Sequence, residues 1–195
     1  MKKIILASGS PRRKMLLEWA EVPFEVIVSD TDESFSSSLS PSAVAVSIAQ
    51  KKNQAVVEQL QNEISNTIVI AADTIVVLEN EIIGKPVDRD NAIEIIQKLS
   101  GKKHEVITAV NIRDDQKNIH FYDVTEVVFH ELTLEQISHY VDQYKPYDKA
   151  GAYAIQEWIG VVGIQSIHGD FYNVMGLPVS KVLKVLKEDF HVGVK

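Results

Sequence analysis

"KIILASGSPRRKMLLEW", residues 3–19, sets a short apolar run against a small polar turn and then a helical pattern. Residues 3–7 read as a buried strand, because an unbroken apolar run bounded by small polar residues suits a strand covered on both faces. Ser10 followed by Pro11 is a cap with proline at the first helical position, which predicts a helix through about Trp19. A strand that passes through a tight turn into a helix is the opening of an α/β fold.

The rest of the chain continues the alternation. "FEVIVSD" (24–30) reads as a second strand, and "SDTDESFSSSLSP" (29–41) as a mobile polar loop. Ser40 and Pro41 repeat the cap and introduce a helix to about Gln61, with Val44, Ile48, Ala55 and Val56 among its apolar positions. Two extended runs follow in 67–86 around a turn at Glu79 and Asn80; Asp88 then caps a helix through Leu99 that Gly101 stops. Residues 104–132 read as two long antiparallel strands around a turn from Asp114 to Lys117. Thr133 with Gln136 makes a capping box for a helix to about Gln143, a strand is expected near 161–167, and a helix from Pro178 turns Val182, Leu183 and Leu186 inward. The pattern predicts an α/β fold with a mixed central sheet flanked by helices, as a single domain over 1–195 without internal repeats.

Composition narrows the function classes. The formal net charge of −7 argues against a general nucleic-acid surface, so an anionic ligand has to be met by a local cluster of cations. The absence of cysteine removes disulfide frameworks, thiolate metal sites and cysteine nucleophiles. No apolar run approaches the roughly 20 residues of a membrane helix, and the apolar segment after the basic start is too brief for a signal peptide. The expectation is a cytoplasmic protein that contacts neither membrane nor nucleic acid.

A strand-to-helix turn of small residues presents free N–H groups and the positive end of a helix, and Arg12 and Arg13 add bidentate donors. That suits phosphate oxygens; the alternative is a tight turn at Ser8, Gly9 and Ser10 with solvated arginines. It is neither a P-loop nor a G-x-G-x-x-G turn. In "VIAADTIVV" Asp73 interrupts a buried-looking strand, and a buried carboxylate needs a metal, a cation or hydrogen-bond donors. Asp73 is therefore a metal ligand, a general base toward water, or both, unless it is an exposed strand end; Thr74 beside it can bond a ligand. Lys85 in "GKP" sits on a rigid turn, and Lys52 on its helix; either also suits plain surface. "DKAGAYAIQ" (148–156) places Asp148, Lys149 and a glycine bend before Gln156, whose amide both donates and accepts and so can read a base edge; the alternative is an exposed helix with a salt bridge. The six histidines show no metal spacing and read as structural or surface residues.

Taken in order, "LASGSPRR", Glu33 in the acidic loop, Lys52 in "AQKKNQA", "AADTIVV", "GKP", "GKKHEVITAV", "DKAGAYAIQ" and "NVMGLP" resemble the Maf family of nucleoside triphosphate pyrophosphatases over nearly the whole chain. The resemblance implies a fold related to the inosine triphosphate pyrophosphatases, with two lobes and the nucleotide in a cleft, and a homodimer. It also implies hydrolysis between the α and β phosphates. On this resemblance Glu33 and Asp73 hold Mg2+ (or Mn2+), Asp73 accepts the proton of the attacking water, and Arg12, Arg13, Lys52 and Lys85 surround the polyphosphate with Ser8. Asp148 and Lys149 join the substrate-binding set, and Arg12, Thr74 and Gln156 match positions associated with substrate choice.

"DKAGAY…IQ" is similar to the branch acting on dTTP, UTP and modified uridine triphosphates. The alternatives are a pyrophosphatase for 7-methyl-GTP or another non-standard purine triphosphate, and a non-catalytic nucleotide-binding regulator of septum formation. Two departures stand out. Lys145 replaces an acidic residue that the family often has, and Ala154 and Glu157 stand where glycine is common.

Overall fold

The computed structural model describes residues 2–36 and 38–193, the side chain of Asn62 excepted, so Ser37 of the polar loop lies outside the described residues. Strands β1 (Lys3–Leu6), β2 (Glu25–Val26), β3 (Thr67–Leu78), β4 (Glu81–Ile83), β5 (Lys103–Arg113), β6 (Asn118–Phe129) and β7 (Ile164–His168) follow the order β2-β1-β3-β5-β6-β7, with β4 on β3. Parallel pairings at β1 and antiparallel ones at β4 and β7 make the sheet mixed. The α-helices are α1 (Pro11–Trp19), α2 (Pro41–Leu60), α3 (Arg89–Leu99), α4 (Leu134–Tyr144), α5 (Trp158–Gly163), α6 (Phe171–Met175) and α7 (Val179–Glu188). An α/β fold with a mixed central sheet is what the alternation predicted.

The chain forms two compact units, each built from separated stretches. The first comprises Met1–Asp73, Thr108–Asp123 and Gly176–Lys195; the second comprises Thr74–Ile107 and Val124–Met175. One division falls inside β3, between Asp73 and Thr74.

In the first unit β1 pairs in parallel with β2 and with the start of β3, in the register Ile5 to Val69 and Leu6 to Ile70. Ile5, Ala7, Val56, Leu60, Val69 and Ala71 form one buried cluster, which places an apolar stripe of α2 on the strands. Each large aliphatic side chain removed from water there contributes about 1.5–3 kcal/mol. β2 is shorter than the expected 24–30. β1 ends at Leu6, and after Ile27 N donates to Leu6 O at 3.2 Å the edge strand has no ladder left to follow.

In the second unit the end of β3 turns into β4 through Glu79 (φ 52°) and Asn80 (φ 69°), the pair of positive φ angles that a two-residue hairpin favours. α3 packs against α4 and against the short 3-10 turn Ala150–Ala152, burying Ile96, Leu99, Ile137, Tyr140 and Val141. The strand expected near 161–167 begins only at Ile164, because 158–163 form α5. "WIGVVG" is too short an apolar run for its period to distinguish a helical turn from a strand.

Candidate functional site

The expected residues divide between the two units. In the first, the turn after β1 is organised by Ser8, which is buried and whose Oγ accepts from Ser10 N at 3.3 Å and from Arg13 Nη1 at 3.0 Å. Arg13 Nε donates to Gly176 O at 2.8 Å, so this guanidinium is buried and not a solvated surface group. Ser10 occupies the cap position, yet its side chain makes no cap bond. Arg12, one residue earlier on α1, is half-buried. Burial pulls the Arg13 guanidinium below its ordinary value, and Asp73 opposes that pull.

Lys52 is aimed by the helix it stands on. Ser40 caps α2 by accepting from Ala43 N at 3.4 Å, and the neighbouring Asn53, fully buried, donates through Nδ2 to Val69 O at 2.9 Å and Asn111 O at 3.1 Å. Those bonds fix the rotation of α2 over the strands. Lys52 Nζ then meets Asp73 Oδ1 at 2.7 Å and Glu33 Oε1 at 2.7 Å. Asp73 is buried on β3, whereas Glu33 sits on the exposed loop. That loop is held by Lys51, whose ammonium donates to Asp32 O at 3.3 Å and Ser34 O at 2.7 Å, either side of Glu33.

A metal ion fits this pair by its chemistry. Two carboxylates converge on one ammonium, so the spot already favours positive charge, and hard oxygen donors of this number suit Mg2+, which takes one or two carboxylates with phosphate oxygens and water. Among the described residues there is no group of three or more His, Asp or Glu side chains able to hold an ion without a ligand's help.

The second unit carries Thr74, Lys85, Asp148, Lys149 and Gln156. Thr74 is half-buried; Lys85 is exposed on its turn, whose Gly84 O accepts from Gly151 N at 3.1 Å. Gly151 has φ 70°, and a Cβ there would lie 2.8 Å from Val76 Cγ2, so only glycine fits this bend. Lys149 is buried and engaged by Asp148 Oδ1 at 2.8 Å and Glu157 Oε1 at 3.6 Å. The segment is a 3-10 turn and a β-turn, not the exposed helix of the alternative reading, and Gln156 is exposed at its end. Lys145, the basic departure, is the exposed C-cap of α4 in the left-handed region (φ 45°), where a cation suits the helix end.

Sequence reasoning passed over Asn53, Lys51, Tyr140 and Glu157 as parts of the site. Asn53 left a signal, an amide on the apolar stripe of α2; the others left none that spacing alone reveals. The histidines are structural where they are buried. His104 Nε2 lies 2.8 Å from Tyr153 Oη, both rings pack edge-on with Phe129, and burial pushes the His104 imidazole down to about 4.

Residues 3–189 match the family model described as Maf-like protein. A dTTP/UTP pyrophosphatase of Bacillus cereus (strain G9842) is 50% identical over 188 residues, covering 96% of each chain. One of Bacillus anthracis is 50% identical over 194 residues, 100% of this chain and 98% of its own. Among solved structures, the Staphylococcus aureus Ham1 protein matches 67% of this chain and 73% of its own, at a TM-score of 0.46 and 17% identity. With the family model matched over nearly the whole chain and full-length relatives at 50% identity, the chain belongs to the Maf-like protein family.

Proposed function

We propose that the protein is a nucleoside triphosphate pyrophosphatase that hydrolyses dTTP and UTP, and modified uridine triphosphates, to the monophosphate and pyrophosphate. The observation that carries this is the Lys52 ammonium held between Glu33 and Asp73 at 2.7 Å each, beside a buried guanidinium whose charge feels Asp73. The two 50% identical relatives, matched over 96% or more of their length, are named dTTP/UTP pyrophosphatase.

In this reading Asp73 accepts a proton from water as its oxygen bonds to the α-phosphorus, and the bond from that phosphorus to the bridging oxygen breaks to release pyrophosphate. Lys52 neutralises phosphate charge, with Arg12 and the N–H groups of the Ser8–Ser10 turn. Glu33 and Asp73 would hold Mg2+, which would screen the phosphates and stabilise the leaving group's charge. Gln156 would read the base, with Asp148 and Lys149 shaping its turn and Lys85 lending a further cation. Homodimer formation, a cytoplasmic setting and a role in clearing nucleotide pools belong to the same reading; no described helix is long and apolar enough to cross a membrane.

The test is pyrophosphate release from a panel of triphosphates with and without Mg2+. The expected result is Mg2+-dependent turnover of dTTP and UTP. Preference for 7-methyl-GTP would move the protein to the purine branch, and binding without a monophosphate product would make it a regulator.

A further inference from the structure

Within the second unit, the turn that presents Gln156 is fastened to one phenol. Tyr140, fully buried on α4, accepts a hydrogen bond from Ala154 N at 3.1 Å and donates to Glu157 Oε2. Glu157 N donates to Ala154 O at 3.1 Å, closing a four-residue turn in which Gln156 is the exposed third residue. The other carboxylate oxygen of Glu157 faces Lys149 Nζ at 3.6 Å, and the same ammonium holds Asp148 at 2.8 Å. Glu157 thus links both ends of the 148–157 segment to the core of α4. On its far side Gly160 N donates to Glu157 O at 2.9 Å, and a Cβ on Gly160 would stand 1.7 Å from Ile155 O, so the chain leaves the turn pressed against it.

Uracil and thymine present a ring N–H beside a carbonyl where cytosine presents a ring nitrogen acceptor beside an amino group. The two edges are opposite patterns, and a glutamine amide that can turn over satisfies either one. A glutamine selects between them only when its backbone and approach are held, since discrimination comes from leaving the wrong partner's polar groups unpaired. We propose that Glu157 is a positioning residue for pyrimidine selectivity: bound to Tyr140 and Lys149, it fixes the turn from which Gln156 distinguishes a uracil or thymine edge from a cytosine edge. This rests on the dTTP/UTP reading above.

The experiment compares the full-length protein with Glu157→Gln and Tyr140→Phe, using UTP, dTTP and CTP with Mg2+, and follows amide exchange at Ala154. Expected are an about tenfold rise in KM for UTP and dTTP, kcat within about threefold, and an about tenfold loss in the ratio of kcat/KM for UTP over CTP in Glu157→Gln, with a smaller change of the same sense in Tyr140→Phe. Ala154 exchange should quicken in both. Tyr140→Phe carries the test where Glu157→Gln folds poorly. Wild-type selectivity in folded variants overturns the proposal, whether or not exchange quickens. A wild-type protein that turns over neither UTP nor dTTP overturns the functional reading instead, and the selectivity role falls with it.

Discussion

Each unit holds a lysine between two carboxylates, and the two triads differ in what surrounds them. Lys52, its side chain 18% exposed, is shared by Asp73 at 11% and Glu33 at 46%, with 2.7 Å to each. Lys149, 10% exposed, lies 2.8 Å from Asp148 and 3.6 Å from Glu157, and Glu157 is further bound by a buried tyrosine. In the first triad one partner rides on an exposed loop and can be exchanged for phosphate or metal at small cost, because half-exposed ion pairs are weak. In the second, Asp148 is open to water at 60%, but Glu157, at 22%, is tied to a core phenol as well as to the buried ammonium, so its position is fixed. The triads differ less in exposure than in anchorage: Glu33 rides on an exposed loop, whereas Glu157 is bound to a buried tyrosine.

The largest effect expected from this contrast is at Asp73. Asp73→Asn keeps the shape and a hydrogen bond to Lys52 but removes the proton acceptor and weakens the metal site, so turnover should fall about a thousandfold with the thermal midpoint nearly unchanged. Near-normal pyrophosphate release from a folded Asp73→Asn protein would remove Asp73 from the chemistry.

Next come the two lysines themselves. Lys149→Met leaves the half-buried Glu157 carboxylate with Tyr140 but without its ammonium and should cost about 1 kcal/mol of stability, read as a lower urea midpoint. Lys52→Met takes the 2.7 Å partner from the more deeply buried Asp73, leaving it Arg13's field, so it should cost at least as much stability and also lower kcat by about 10–100-fold. An equal loss of kcat in the two variants would erase the distinction drawn between the triads.

Most of the fold, and the charges of the Lys52 triad, could be read from residue order. Caps at Ser40, Asp88 and Thr133, prolines at Pro11 and Pro41, and the Glu79 and Asn80 turn are local chemistry, and they mark the elements where the structure has them. Lys52, Glu33 and Asp73 carry charges into motifs whose order is recognisable, although only the structure brings them to one point. What stayed hidden depends on pairing between distant segments. β2 is cut short by where its neighbour ends, the helix at 158–163 has six apolar and glycine residues with no decisive period to announce it, and Tyr140 meets Glu157 across 17 residues of chain. Asn53 reads as a blemish in an apolar stripe until two backbone carbonyls are found for it.

Acid should separate the units as well. His104 in the second unit has its folded value pushed down to about 4 by burial, from an ordinary 6.5. Between those values the unfolded chain binds the proton and the folded chain does not, so stability present above pH 6.5 drains away as the pH falls toward 4, by about 3 kcal/mol in all. In the first unit, burial works to raise Asp114, but bonds from Lys2 Nζ and from the N–H groups of Lys117 and Gln116 outweigh it and hold the carboxyl below 3.8. Its contribution is complete above 3.8 and is lost only below that. Melting wild type and His104→Phe at pH 7.5 and pH 4.5 should show a drop in the wild type that the variant largely lacks; an equal drop in both would clear His104 of the effect.

The smallest differences expected are at the caps of the helices that carry each triad's support. On α4, Thr133 Oγ1 accepts from Gln136 N at 3.2 Å while Gln136 Oε1 accepts from Thr133 N at 2.9 Å, so two free donors of the first turn are satisfied together. On α2, Ser40 Oγ accepts from Ala43 N at 3.4 Å and lies 3.3 Å from Ser42 Oγ, a longer and looser cap. Thr133→Ala should therefore cost about 1 kcal/mol and Ser40→Ala roughly half that. Since α4 holds Tyr140 and α2 holds Lys52, the consequences should also divide. Thr133→Ala should loosen UTP selectivity slightly by softening the phenol's position, whereas Ser40→Ala should leave selectivity alone and show only in thermal melts. A Ser40→Ala protein that loses selectivity as much as Thr133→Ala does would mean that the two triads are not set by separate helices.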